Sequence, residues 1–75
     1  MKAYVLITAS PGKALDIARN LRGRHGVVAA DPITGEYDVI AVCEGPDVNA
    51  IGQTIVSEIQ NVEGVFKTTT CLVFS

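Results

Sequence analysis

An unbroken apolar run, Ala3-Tyr4-Val5-Leu6-Ile7, rich in β-branched and aromatic residues, predicts a first strand that ends at Thr8. Ser10-Pro11 follows, a helix cap with proline at the first helical position. Ala14, Ile17, Ala18 and Leu21 then recur at helical spacing and form one apolar stripe. Arg19, Arg22 and Arg24 gather where a helix C-terminus favours cations, and Gly23 and Gly26 end the helix. Val27 to Ala30 reads as a second strand, closed by Asp31-Pro32. Thr34-Gly35-Glu36 turns the chain into a third strand, Tyr37 to Glu44. Gly45-Pro46-Asp47 breaks it and caps a second helix. Val48, Ile51, Ile55, Ile59 and Val62 give that helix its apolar stripe, and Gly64 ends it. Val65 to Phe74 is the last strand.

The order is βαββαβ, with a repeat inside it. Each half runs strand, proline-initiated helix, then Gly-Val opening a strand: Gly26-Val27 in the first and Gly64-Val65 in the second. Short connections and right-handed crossovers then favour a ferredoxin-like α+β fold. Its four-stranded antiparallel sheet takes the strand order 4-1-3-2, with both helices on one face. The other face should then show polar residues at alternate positions. It does not, because Tyr4 and Leu6 are as apolar as Val5 and Ile7, and Ile40 and Val42 as apolar as Val39 and Ala41. A second copy packing sheet against sheet is the simplest cover, so a homodimer is expected.

Composition sharpens this picture. Seventy-five residues make one domain, and 48% hydrophobic content excludes a disordered chain. A chain this short buries only about 60–65% of its unfolded surface, which makes self-association an asset. The net charge of −2 argues against binding nucleic acid through phosphates. Charge is unevenly spread: residues 1–26 sum to +4 and residues 27–75 to −6. Two solvated faces explain that split more simply than complementary patches between subunits. An RNA platform is weaker still, since no aromatic residue interleaves with the arginines. No apolar run is long enough to span a bilayer, Lys2 with its short run only imitates a signal peptide, and a cytoplasmic location is expected.

Catalytic chemistry is hard to find. No Ser-His-Asp set, phosphate loop or metal cluster is present, and no cofactor is expected. His25, the single histidine, sits in the basic end of a helix and reads as a solvated cation. Cys43 and Cys71 lack zinc-site spacing and read as small core residues. With the first strand between theirs, they stand roughly 9–10 Å apart or more, beyond disulfide reach. Two polar stretches interrupt the apolar chain, Thr34-Gly35-Glu36-Tyr37-Asp38 and Thr68-Thr69-Thr70. Backbone N–H groups near Gly35 suit a carboxylate, Asp38 an ammonium, and the threonine hydroxyls either partner. Together they suit a zwitterion. A plain turn at Gly35, a strand-start acid at Asp38 and ordinary β-forming threonines account for the same residues.

Set in order, these stretches resemble the effector-binding domain of the Lrp/AsnC regulators, also called the RAM domain. The resemblance rests on Ala3-Tyr4-Val5-Leu6-Ile7, on Thr34-Gly35-Glu36-Tyr37-Asp38, on Ile51, Ile55 and Ile59 before Gly64-Val65, and on Thr68, Thr70 and Val73. It covers nearly the whole chain, as one domain over residues 1–75. It implies a dimeric α+β barrel, assembly of dimers into rings, often octamers, and amino-acid effectors bound between dimers. Regulators of this family place a helix-turn-helix domain before this one. Here Met1 leads straight into the first strand, so the expectation is a module without direct DNA binding that senses an amino acid or modulates a full-length Lrp/AsnC regulator by co-assembly. The expected ligand site is Gly35, Glu36, Tyr37 and Asp38, with Thr68 and Thr70 from a neighbouring subunit or dimer. Other readings are a ligand-free structural oligomer, a small dimeric-barrel enzyme whose pocket residues would be mostly apolar, and an ACT domain, for which Pro11-Gly12 is a weak match.

Overall fold

A computed structural model describes residues 1–74. Its elements are β1 (Lys2–Ala9), α1 (Ala14–Leu21), β2 (Val27–Pro32), β3 (Val39–Glu44), α2 (Val48–Thr54) and β4 (Val65–Leu72). A π-helical turn, Ile55–Ile59, continues α2. The sheet runs β2-β3-β1-β4, all neighbours antiparallel, which is the ferredoxin-like order expected.

The helix-covered face is dry. Ala3, Val5 and Ile7 of β1 and Val39, Ala41 and Cys43 of β3 are fully buried, packed with Ile17 and Leu21 of α1 and with Ile51 and Ile59. Burying each large aliphatic side chain contributes about 1.5–3 kcal/mol, so this cluster dominates the stability of the fold. The alternate residues Tyr4, Leu6, Ile40 and Val42 stay half-exposed on the open face, where no element among the described residues covers them.

Local chemistry departs from the sequence expectation at several points. Ser10-Pro11 does not start α1. Lys13 N–H donates to the Ser10 carbonyl at 3.1 Å, and Gly12 has φ 78°. Proline followed by a positive-φ glycine is the signature of a type II turn, and the helix begins only after it, at Ala14. Asp47 does cap α2, accepting the Ala50 N–H at 2.8 Å. Val48, by contrast, is 51% exposed and leaves the apolar stripe.

The π-turn is where the Gln60 N–H donates to the Ile55 carbonyl at 2.8 Å. It keeps Ile55, Ile59 and Val62 facing the sheet. Cys43 is buried as expected, and burial raises its thiol pKa. Cys71 is exposed, a correction to its reading as a core residue. It pairs with Tyr4 on the sheet edge, on the face the helices leave open. Both thiols are free.

Two arginines at the end of α1 are engaged within the chain. Arg22 donates to the Ala30 carbonyl at 2.8 Å and lies 3.4 Å from Asp31. Arg24 donates to the Asn20 carbonyl at 2.8 Å and lies 3.8 Å from Glu58. Among the described residues no helix is long and apolar enough to cross a membrane.

Candidate functional site

The loop between β2 and β3 is tied down at its base and free at its tip. Ile33 N–H donates to the Asp38 carbonyl, and Asp38 N–H to the Ile7 carbonyl, both at 2.9 Å. The first bond closes the loop and the second fastens it to β1. Gly35 has φ 133°, a conformation that side chains disfavour, with open space around it. The N–H groups of Gly35, Glu36 and Tyr37 have no partner among the described residues. Such a run of free donors can hold an anion. Gly35 and Glu36 are exposed, and Tyr37 is half-buried.

Asp38 has a structural partner that the sequence did not reveal. Its Oδ2 accepts the Ala9 N–H at 2.8 Å, at the end of β1. The ladder between β1 and β3 ends at Ile7 and Val39, so this donor on the β3 side has no strand partner and is left to be satisfied. Oδ1 carries no hydrogen bond among the described residues. The carboxylate lines a cavity of about 230 Å³ with Ala9, Ser10, Pro11, Gly12 and Leu15. The Pro11-Gly12 turn thus contributes a wall that spacing alone had assigned to a helix.

Thr68 and Thr70 pair with Ile7 and Val5 and share the helix side of the sheet. Gln60 Nε2 donates to Thr68 Oγ1 at 3.2 Å, while the Thr70 hydroxyl is unbonded among the described residues. Ile7 has Asp38 on one side and Thr68 on the other. One strand therefore lies between them, and two strand spacings make about 10 Å. The cavity that Asp38 lines contains neither threonine. Loop and threonines lie toward the same end of the sheet, yet they do not converge within one protomer.

A four-stranded antiparallel sheet in βαββαβ order, with both helices on one face and an apolar open face, places the chain among the ferredoxin-like α+β domains. The match to the model of the Lrp/AsnC ligand-binding domain covers residues 2–75, and the chain belongs to that family. Its relatives include the HTH-type transcriptional regulator LysM of Saccharolobus solfataricus, 26% identical over 97% of this chain and 51% of that protein. The chain thus spans about half the length of that regulator. Among solved structures, TTHA0845 of Thermus thermophilus superposes with a TM-score of 0.90 at 27% identity, over 99% of this chain and 92% of that one. The regulator NMB0573 of Neisseria meningitidis, in complex with L-Met, shares the fold with a TM-score of 0.84 at 20% identity, over 99% of this chain and 49% of that one.

Proposed function

We propose that this chain is a cytoplasmic, non-enzymatic regulatory module that binds a free amino acid at an interface between copies of itself. The observation that carries the reading is the loop 35–38, whose consecutive unpaired N–H groups lie beside a carboxylate with one uncommitted oxygen. The N–H groups would hold the α-carboxylate, and Asp38 Oδ1 the α-ammonium, through charge-assisted bonds. Thr68 and Thr70 reach that ligand only from a neighbouring subunit or dimer, because β1 separates them from Asp38 in their own protomer. The open face with Tyr4, Leu6, Ile40 and Val42 supplies a homodimer of the dimeric-barrel kind, and dimers then join into an octamer or similar ring. Support also comes from the L-Met complex of NMB0573 and from LysM, a transcriptional regulator. Co-assembly with a full-length Lrp/AsnC regulator would pass the signal on.

A thermal-shift screen against the twenty standard amino acids tests this. One amino acid, or one chemical class, raises the melting temperature by several degrees. Asp38→Asn retains an oxygen for the Ala9 N–H and removes the charge, so it abolishes the shift. An equal shift in that variant overturns the ammonium role. If the parent responds to none, the ligand-free structural oligomer takes precedence. That second reading has its own observation, since the Ala9 bond already gives Asp38 a structural task.

A further inference from the structure

At the opposite pole from the loop 34–38, where β2 begins and β3 ends, lies a cavity of about 460 Å³ between the sheet end and the inner flank of α2. That is within the size range of small-molecule sites. Its floor is rigid. Glu44 N–H donates to the Gly26 carbonyl at 3.0 Å, Gly45 N–H to the Met1 carbonyl at 3.0 Å, and the Met1 ammonium to the Gly45 carbonyl at 2.8 Å.

Apolar groups of Pro46 and Ala50 line it, and so do the carboxylates of Glu44 and Glu58. Neither carboxylate accepts a hydrogen bond among the described residues. Glu58 has Arg24 only at 3.8 Å, beyond hydrogen-bond length. Lys2, opposite Glu44 across the ladder, has its Nζ 5.1 Å from the Tyr4 ring centroid and forms no ion pair with Glu44.

An independent observation concerns Thr54. It is only 6% exposed and the one polar residue of the buried set, yet its hydroxyl makes no hydrogen bond among the described residues. Among those residues no side-chain oxygen is both sealed from the surface and unpartnered, so this hydroxyl keeps access to the surface; Thr54 and the Gly26 it packs against both line the cavity. Gly26, with φ 83°, leaves it room: a Cβ there would collide with Thr54 Oγ1. His25 and Ser57 stand at the cavity's edge.

From two carboxylates that accept no hydrogen bond, one of them paired loosely with Arg24 at 3.8 Å, from methylene-compatible walls and from the unpartnered hydroxyl of a buried threonine, we propose that this cavity binds an aliphatic diamine. Each ammonium meets one carboxylate, the carbon chain covers Pro46 and Ala50, and the Thr54 hydroxyl accepts from an ammonium. Amide NMR titration with 1,4-diaminobutane at fixed ionic strength tests this. Residues 25–26, 44–45 and 53–58 shift saturably, while those of the loop 34–38 stay put. 1-Aminobutane, Glu44→Gln and Glu58→Gln each weaken binding about tenfold, as loss of a hydrogen bond to a charged group does. Thr54→Val keeps the packing and weakens binding about fivefold. Absence of saturable shifts overturns the proposal. So do equal shifts from sodium chloride, or an unchanged affinity in Glu44→Gln.

Discussion

Asp38 serves two neighbours at once, and its variants separate them. Asp38→Ala strands the Ala9 N–H and costs about 1–2 kcal/mol in urea unfolding, whether or not a ligand binds. Asp38→Asn leaves unfolding within about 0.5 kcal/mol of the parent, because the amide oxygen still accepts from Ala9. An equal loss in both variants would show that charge, rather than the acceptor, matters there.

The thiols make a second contrast. Cys43 reacts with a thiol reagent only on unfolding, while Cys71, on the open face, is reached in the native chain wherever no second copy covers that face. Rapid native labelling at two sites would contradict the burial of Cys43. Burial raises the Cys43 pKa, so the folded state keeps a proton that the unfolded thiol loses near about pH 8.5. Stability is therefore full below that pH and declines as pH climbs through the raised value. A Cys43→Ala variant loses that slope. The polar candidates at 34–38 and 68–70 were legible in the sequence because they interrupt apolar strands. Asp38's bond to Ala9 was not, since it joins residues 29 apart just past the end of the ladder between β1 and β3.

Element by element, legibility follows how local the signal is. Asp47 caps α2 as read, because an N-cap needs only the residue three positions on. Ser10-Pro11 misled because proline suits both a first helical turn and a type II turn. Gly12, at φ 78°, decides for the turn. The second apolar stripe was right at Ile51, Ile55, Ile59 and Val62 and wrong at Val48. No pattern announced the π-turn, which arises where the helix must keep its last residues on the sheet.

Gly26 shows a helix and a strand packed to contact. Gly26→Ala combines a disfavoured φ of 83° with a collision against Thr54, and should cost about 2–3 kcal/mol in denaturant unfolding. Gly23→Ala has a similar φ and open space, so it should cost about 1 kcal/mol. Equal losses at both would remove the packing argument.

On the scale of the molecule, the open face has the most consequence. Its apolar character was legible because β1 and β3 lack alternation, and Tyr4, Leu6, Ile40 and Val42 are half-exposed there. What covers it lies in contacts that one chain's pattern does not encode. Leu6→Lys places a charge in the centre of that face and should convert dimer to monomer without unfolding it. A dimer that survives this change points to another interface. DNA binding gives a complementary expectation. The purified 75-residue chain has a net charge of −2, and the helices of its described residues are short and packed on the sheet, so it should leave no sequence-specific footprint on duplex DNA.

Native mass spectrometry, with and without the amino acid selected by thermal shift, tests the central claim most directly. The account predicts even-numbered assemblies, larger or more populated when the ligand is present, with the amino acid retained in them and absent from Asp38→Asn. A monomer at micromolar concentration that retains no amino acid would contradict it.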